Sequence, residues 1–150
     1  MIKSMIDSIL TIEELLRTKG KSIWSISPQS TVYRALEMMA DKSVGALLVI
    51  DNEKVVGIFS ERDYARKVIL KGKSSKETAV SELMTRAVFY VTPKNTLQEA
   101  MALMTAKQIR HLPVLDDGRL VGIVTLGDVV KKIIAQQEHT INLLEEYVLS

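Results

Sequence analysis

The sequence predicts an α/β (α+β) fold: two β-α-β-β-α repeats related by pseudo-twofold symmetry, with an N-terminal helix and a C-terminal helical extension. The first observation is an internal repeat, because a shift by the 65 positions between Asp63 and Asp128 aligns the two halves without a gap and pairs Gly57 with Gly122. The second is that hydrophobic periodicity changes from helical to strand-like at the same place in each copy. The expected segments are repeat 1 with the N-terminal helix at 8–75, repeat 2 at 76–135 and a helical tail at 136–150.

The predicted elements follow the same order in both copies. Apolar residues at helical spacing predict amphipathic helices at 30–42 and 96–107. Short apolar runs around turns that contain Asp, Asn or Gly predict two hairpins. The hairpin strands are expected at 46–50, 55–59, 112–115 and 120–124. A short strand is expected ahead of each copy, at 23–26 and 88–91. A second helix is expected after each hairpin, at 61–70 and from Leu126 onward.

The segments outside the repeats also have helical patterns. Thr11 and Glu14 have the spacing of a capping box at the start of the N-terminal helix. The chain after Asp128 contains neither Gly nor Pro and carries an apolar stripe, which indicates a covering helix or a dimer surface. The stripe consists of Val130, Ile133, Ile134, Ile141, Leu144 and Val148.

Composition excludes several classes of function. A formal charge of +2 over 150 residues gives no bulk attraction for nucleic acid. The absence of cysteine excludes disulfides and thiolate chemistry, and two histidines make a His-rich metal centre unexpected. The longest apolar stretch, residues 44–50, is far shorter than the roughly 20 residues of a membrane-spanning helix. We expect a cytoplasmic protein with no metal, nucleic-acid or membrane partner.

One short motif occurs in both copies at the junction of a strand and a helix. The segments GIFSERD (57–63) and GIVTLGD (122–128) share the pattern Gly-apolar-apolar-Ser/Thr-x-x-Asp. Ser60 and Thr125 suit helix N-caps, and Asp63 and Asp128 suit the positive end of the helix dipole. The same place offers free N–H groups to a phosphate and a carboxylate to the hydroxyls of a ribose. From the residues alone, capping and nucleotide binding both stay open.

These features together resemble the tandem cystathionine-β-synthase (CBS) domain pair, or Bateman module, over roughly residues 8–135. The paired motif, the segment IRHLPVLDDGRLVGIV in copy two and the tail EHTINLLEEYV make the chain similar to stand-alone bacterial members. The resemblance implies an adenine nucleotide in a cleft between the repeats, AMP foremost, with ATP, ADP, NAD(H) or S-adenosylmethionine as alternatives. It implies no catalytic cofactor.

The resemblance also implies roles for individual residues. Asp63 and Asp128 would accept the ribose hydroxyls, Ser60 and Thr125 would face ribose or phosphate, and Arg62 would face the phosphates. The implied adenine contacts, phosphate contacts and pocket walls are Val44, Gly45, Ala46, Ile109, Arg110, His111, Ile58, Ile123, Ala35 and Ala100. Lys21 and Arg86, ahead of the first strand of each copy, are further candidate phosphate contacts. For the basic residues the alternative is an ordinary surface charge, and for His111 a half-buried histidine with its hydrogen bonds satisfied.

No residue pattern indicates catalysis, because neither Ser60 nor Thr125 has an adjacent general base. The expected function is a regulatory, energy-sensing module that responds to a nucleotide by a change of repeat or dimer geometry. A homodimer and a regulated protein partner acting in trans are expected with it. The alternative is a structural or dimerisation module with a vestigial pocket.

Overall fold

A computed structural model describes residues 9–20 and 22–149, which form two compact units. The first-repeat unit contains residues 22–89, and the second-repeat unit combines 9–20 with 90–149. In chain order the elements are α1 (Ile12–Lys19), β1 (Ser25–Ile26), α2 (Val32–Lys42), β2 (Ala46–Asp51), β3 (Lys54–Ser60), α3 (Glu61–Asp63), a π-helical segment (Tyr64–Ile69), α4 (Val80–Leu83), α5 (Leu97–Lys107), β4 (His111–Asp116), β5 (Arg119–Thr125) and α6 (Leu126–Leu149). The mixed α/β fold class is confirmed.

Threonine caps determine where the long helix of each repeat begins. The Thr31 hydroxyl accepts a hydrogen bond from the Arg34 N–H, and the Thr96 hydroxyl accepts one from the Glu99 N–H. The Glu99 carboxylate in turn accepts from the Thr96 N–H, which completes a capping box. Helices α2 and α5 therefore begin one residue after a threonine, in agreement with the predicted helices.

The two sheets differ in one strand. In the first-repeat unit β1 is parallel to β2, and β2 is antiparallel to β3. In the second-repeat unit β4 and β5 form the sheet, and Val91 makes a single parallel bridge to Val114. The predicted strand at 88–91 is therefore wrong, and the predicted strand at 23–26 shortens to two residues.

A proline explains the missing strand. In the first-repeat unit the N–H of Leu48 donates to the carbonyl of Trp24 at 3.3 Å, which extends the pairing of β1 with β2. The repeat places Pro113 at the position equivalent to Leu48, and proline has no N–H to donate. The equivalent ladder cannot form, so the segment ahead of β4 pairs only through Val91.

The helix after β3 also departs from the expected α-helix at 61–70. Only Glu61–Asp63 are α-helical, and Tyr64–Ile69 continue as a π-helix in which the Leu70 N–H donates to the Ala65 carbonyl. The helix after β5 is instead one continuous α-helix through Leu149, so most of the expected 136–150 tail is the second half of α6. Ser150 and residues 1–8 lie outside the described residues.

The short helix that comes before each repeat in the sequence belongs to the compact unit of the other repeat. Helix α1 belongs to the second-repeat unit, where the Ile12 N–H donates to Asn95 O at 2.9 Å. Helix α4 belongs to the first-repeat unit, where the Val80 N–H donates to Ser30 O at 2.8 Å. The compact units therefore do not coincide with the sequence segments 8–75 and 76–135, since the N-terminal helix packs with the second repeat.

Buried apolar residues give each unit its own core. In the first-repeat unit the core includes Val32, Met39, Leu47, Phe59, Val80 and Met84, so α4 is part of it. In the second-repeat unit the buried residues include Ile12 and Leu16 of α1 together with Leu97, Met104, Leu112 and Val124. No helix in the described part of the chain combines the length and the apolar character needed to cross a membrane.

The motif glycines leave room for these exchanged helices. A Cβ atom on Gly122 would lie 2.8 Å from Cδ2 of the buried Leu16, and one on Gly57 would lie 2.6 Å from Sδ of Met84. Both distances are shorter than a van der Waals contact. The glycines therefore permit α1 and the end of α4 to pack directly on β5 and β3.

This packing predicts different effects on stability for two alanine substitutions. Gly122→Ala should lower the free energy of unfolding by about 1–3 kcal/mol, because Leu16 must shift within a packed core. Gly127→Ala, in α6 with only the Thr125 hydroxyl within 4 Å, at 3.7 Å, should leave that free energy unchanged or raise it by up to about 1 kcal/mol. Urea-induced unfolding measures both, and equal losses in the two variants would contradict the packing role.

Candidate functional site

The motif aspartates cap the helices that follow β3 and β5. The Ser60 N–H donates to Oδ2 of Asp63 at 3.0 Å, and the Asp63 N–H donates to the Ser60 hydroxyl at 3.2 Å. The Thr125 N–H donates to Oδ2 of Asp128 at 2.9 Å, and the Asp128 N–H donates to the Thr125 hydroxyl at 3.1 Å. The capping interpretation of the motif is confirmed in both copies.

Beyond capping, Asp63 is held by the rest of its own unit. Its Oδ1 accepts from the Thr85 hydroxyl at 3.0 Å and forms an ion pair with Nζ of Lys67 at 3.0 Å. Lys67 also donates to the carbonyl of Leu83 at 3.1 Å. Asp63 is only 7% exposed, and both of its carboxylate oxygens have hydrogen-bond partners. This network connects the π-helical segment to the end of α4.

Asp128 lies in a different environment. Its Oδ2 forms an ion pair with Nζ of Lys19 at 2.6 Å, and both side chains remain 25% exposed. Lys19 also donates to the carbonyl of Ile123 in β5, at 2.6 Å. Burial alone would raise the pKa of Asp128, but the hydrogen bonds from Lys19 and Thr125 outweigh it, so the pKa lies below the ordinary aspartate value. The carboxylate is therefore ionised at neutral pH and accessible to solvent.

His111 and the main chain of Arg110 lie next to the Asp128–Lys19 pair. His111 begins β4 and pairs in register with Thr125, while the carbonyl of the preceding Arg110 accepts from the Leu126 N–H at 2.9 Å. Burial, then the charge of Lys19, lowers the pKa of His111 below its ordinary value, although Asp128 opposes the shift. We call Lys19, Arg110, His111, Thr125 and Asp128 the Asp128 cluster.

The first-repeat unit has no basic residue at the positions equivalent to Arg110 and His111. The repeat places Gly45 and Ala46 at the positions of Arg110 and His111, and neither carries a charge. Gly45 supplies only its carbonyl, which accepts from the Glu61 N–H at 3.0 Å. The two motif aspartates therefore face different chemistry.

The other predicted site residues lie in varied environments. Ala35 and Ala100 are fully buried on α2 and α5, and Ala46 is buried at the start of β2. Val44, Ile58, Ile109 and Ile123 are half-buried, and Arg62 is exposed. Arg86 is exposed and donates to the carbonyl of Ser81 at 2.8 Å, and Lys21 lies outside the described residues. The ligand roles of all these residues stay predictions.

Three residues of these networks were not anticipated. Lys67 could have been found from the i,i+4 spacing to Asp63, which favours an ion pair on a helix. Lys19 and Thr85 come from the segments ahead of each repeat, where Lys21 and Arg86 were expected instead. The repeat gives no signal for them, since Lys19 aligns with Met84 and Thr85 aligns with Gly20.

Metal-ligating side chains do not converge within the part of the chain that the structure describes. No group of three or more His, Cys, Asp or Glu residues is found there in an arrangement that could hold a metal ion. In the second-repeat unit, the Asp128 cluster instead combines one carboxylate with cationic side chains.

Comparison with known proteins identifies relatives in sequence and in structure. The family model of the CBS domain matches residues 12–70 and 80–135. The CBS domain-containing protein CBSX3, mitochondrial, of Arabidopsis thaliana is 38% identical over 148 residues, covering 92% of this chain and 71% of the plant protein. A solved protein with CBS domains from Burkholderia ambifaria MC40-6 is 48% identical, with a TM-score of 0.82 over 85% of this chain and 96% of that one.

A third relative was solved with ligands. The CBS domain pair of the protein MJ0100 was crystallised in complex with 5-methylthioadenosine and S-adenosyl-L-methionine. It is 25% identical to this chain and superposes with a TM-score of 0.76, over 85% of this chain and 98% of that one.

The different surroundings of the two aspartates predict different costs of removal. Asp63→Ala should lower the free energy of unfolding by roughly 2–4 kcal/mol, because it breaks a buried ion pair and leaves Thr85 and Ser60 without an acceptor. Asp128→Ala should cost only about 1 kcal/mol, the usual loss for a helix cap. Denaturant unfolding of both variants measures the difference, and equal costs would contradict the structural role assigned to Asp63.

The lowered pKa of His111 predicts a contribution to acid sensitivity. The folded state binds the His111 proton more weakly than the unfolded chain does. The neutral ring therefore favours the folded state at pH values above the ordinary histidine pKa of 6.5, and this contribution to stability is lost as the pH falls below that value. His111→Gln should therefore show a smaller fall in melting temperature than the wild type between about pH 7.5 and about pH 5. His139→Gln, at an exposed position of α6, is the matched control and should follow the wild type.

Proposed function

The chain belongs to the CBS-domain family as a tandem pair, and on that premise we propose that it is a non-catalytic regulatory module that binds an adenosyl ligand at the Asp128 cluster. One observation carries the proposal: an ionised, partly exposed carboxylate is ion-paired with Lys19 at the beginning of a 24-residue helix, and the first N–H of that helix donates to the main chain of Arg110. Such a group combines acceptors for a sugar with cations for a phosphate.

Asp128 is the ribose acceptor in this proposal. Adjacent ribose hydroxyls donate two hydrogen bonds to one carboxylate, and bonds to a charged acceptor are worth roughly 1.5–3 kcal/mol each before ordering costs. The partial positive charge at the N-terminus of α6 favours an anion at the same place. Half-buried Ile109 and Ile123 supply apolar surface nearby in the second-repeat unit for an adenine ring.

The adenosyl class is supported by the relative that was crystallised with 5-methylthioadenosine and S-adenosyl-L-methionine. Within that class we favour AMP, because Lys19 and Arg110 offer two positive charges to a phosphate. ADP, ATP and NAD(H) carry the same adenosine and phosphate groups, whereas S-adenosylmethionine joins the adenosyl group to a methionine sulfonium and has no phosphate.

Asp63 takes a structural role in this proposal. A ribose at Asp63 would have to displace Lys67 or Thr85 from a carboxylate that is 7% exposed. The second-repeat unit is therefore the ligand-binding half, and in the first-repeat unit the same motif has a structural role.

Helix α6 provides the surface through which the module would act. Val130, Ile134, Ile141 and Val148 are exposed along one side of α6. An exposed apolar stripe of this kind marks a protein interaction site. We propose that it mediates a homodimer, and that the ligand changes the geometry of the repeats or of the dimer, which a partner in trans detects.

The same stripe favours a second candidate function, a dimerisation module without a ligand. This candidate predicts that the oligomeric state depends on the apolar residues of α6 and that adenosyl compounds have no effect on the protein. A measurement of adenosyl binding therefore distinguishes the two functions.

A ligand screen separates them. We expect AMP at about 100 times its dissociation constant to raise the melting temperature by roughly 5–10 °C, which corresponds to about 2.7 kcal/mol. The comparison set is ADP, ATP, NAD, NADH and S-adenosylmethionine. Asp128→Ala should abolish the shift, whereas Asp116→Ala, at the end of β4, is the control and should retain it. If no adenosyl compound shifts the wild type at millimolar concentration, the dimerisation module is the better account.

A further inference from the structure

We propose that Lys19 is a specificity-determining residue that selects phosphorylated adenosyl ligands over those without a phosphate. This inference rests on the proposed function and assigns a chemical class to the ligand of the same site. It follows from the two acceptors that Lys19 contacts in the structure and from the charges around them.

Lys19 occupies one of the two carboxylate oxygens of Asp128. Its ammonium group lies 2.6 Å from Oδ2 of Asp128 and 2.6 Å from the carbonyl oxygen of Ile123. The Thr125 N–H donates to the same Oδ2, so this oxygen already has two donors. A ribose whose two hydroxyls use both carboxylate oxygens of Asp128 therefore competes with Lys19 for Oδ2.

A ligand without a phosphate does not compensate for the displacement of Lys19 from Asp128. The ribose hydroxyls of adenosine or 5-methylthioadenosine replace a charged donor by uncharged ones, which make weaker bonds to a carboxylate. The displaced ammonium then has no new anion to contact. Lys19 consequently opposes the binding of adenosyl compounds that lack a phosphate.

A phosphorylated ligand offers the displaced Lys19 a new anionic partner. The ammonium of lysine is a compact charge on a flexible four-carbon stem, so it can leave Asp128 and contact a phosphate beside the ribose. The net charge of Lys19, Arg110 and Asp128 is +1 with neutral His111, which is suited to an anion. A sulfonium ligand instead adds a positive charge next to Lys19 and Arg110.

The first-repeat unit shows why this selection belongs to one half of the chain. Lys67, the ion-pair partner of Asp63, is held by the carbonyl of Leu83 as well as by Asp63. No cation stands at Gly45 or Ala46 to receive a phosphate with it. Lys19 differs because it comes from α1 and because His111 experiences the charges of both Lys19 and Arg110.

The test compares AMP with adenosine by isothermal titration calorimetry on the full chain. Lys19→Met should weaken AMP binding roughly tenfold to a hundredfold and should tighten adenosine binding by roughly threefold to tenfold. Lys19→Arg keeps the charge and should keep the preference for AMP. Lys131→Met, at an exposed position of α6, removes the same charge from the same unit and should leave both affinities unchanged.

The outcomes separate this inference from the proposed function. Opposite changes of the AMP and adenosine affinities in Lys19→Met, with Lys19→Arg like the wild type, support the selection by Lys19. Equal changes for both ligands, or the same changes in Lys131→Met, overturn it while the proposed function stands. A wild-type protein that binds neither compound overturns the proposed function and this inference together.

Discussion

The reciprocal hydrogen bonds between a strand-end hydroxyl residue and an aspartate three positions later are the interaction on which the rest depends. They join Ser60 to Asp63 and Thr125 to Asp128. Each pair ends a strand and begins a helix, and it holds a carboxylate at the same point of both repeats. The two halves then differ in the side chains that contact that carboxylate.

The difference comes from the segments that the units exchange. The chain leading out of α4 brings Thr85 to Asp63 and α1 brings Lys19 to Asp128, because each helix packs on the repeat that it does not immediately precede. In the same way, Met84 packs against Gly57 and Leu16 packs against Gly122. One packing rule therefore produces a closed network in the first-repeat unit and a partly exposed ion pair in the second-repeat unit.

The sequence predicts what is encoded locally. The amphipathic helices, both hairpins and the caps at Ser60 and Thr125 follow from periodicity and turn residues, and the repeat makes each of them visible twice. No strand forms ahead of β4 because Pro113 has no N–H to donate. A pattern of apolar residues does not reveal this effect. Lys19 could not be assigned to Asp128, because its contact with Ile123 joins residues 104 positions apart and the repeat has no matching lysine.

A crystal structure of this chain grown with AMP would test the central claim most directly. The account predicts both ribose hydroxyls within hydrogen-bond distance of Asp128, with Nζ of Lys19 moved from the carboxylate to the phosphate and the Asp63–Lys67 pair unchanged. A ribose bound to Asp63, or a nucleotide bound elsewhere while Lys19 remains on Asp128, would contradict it.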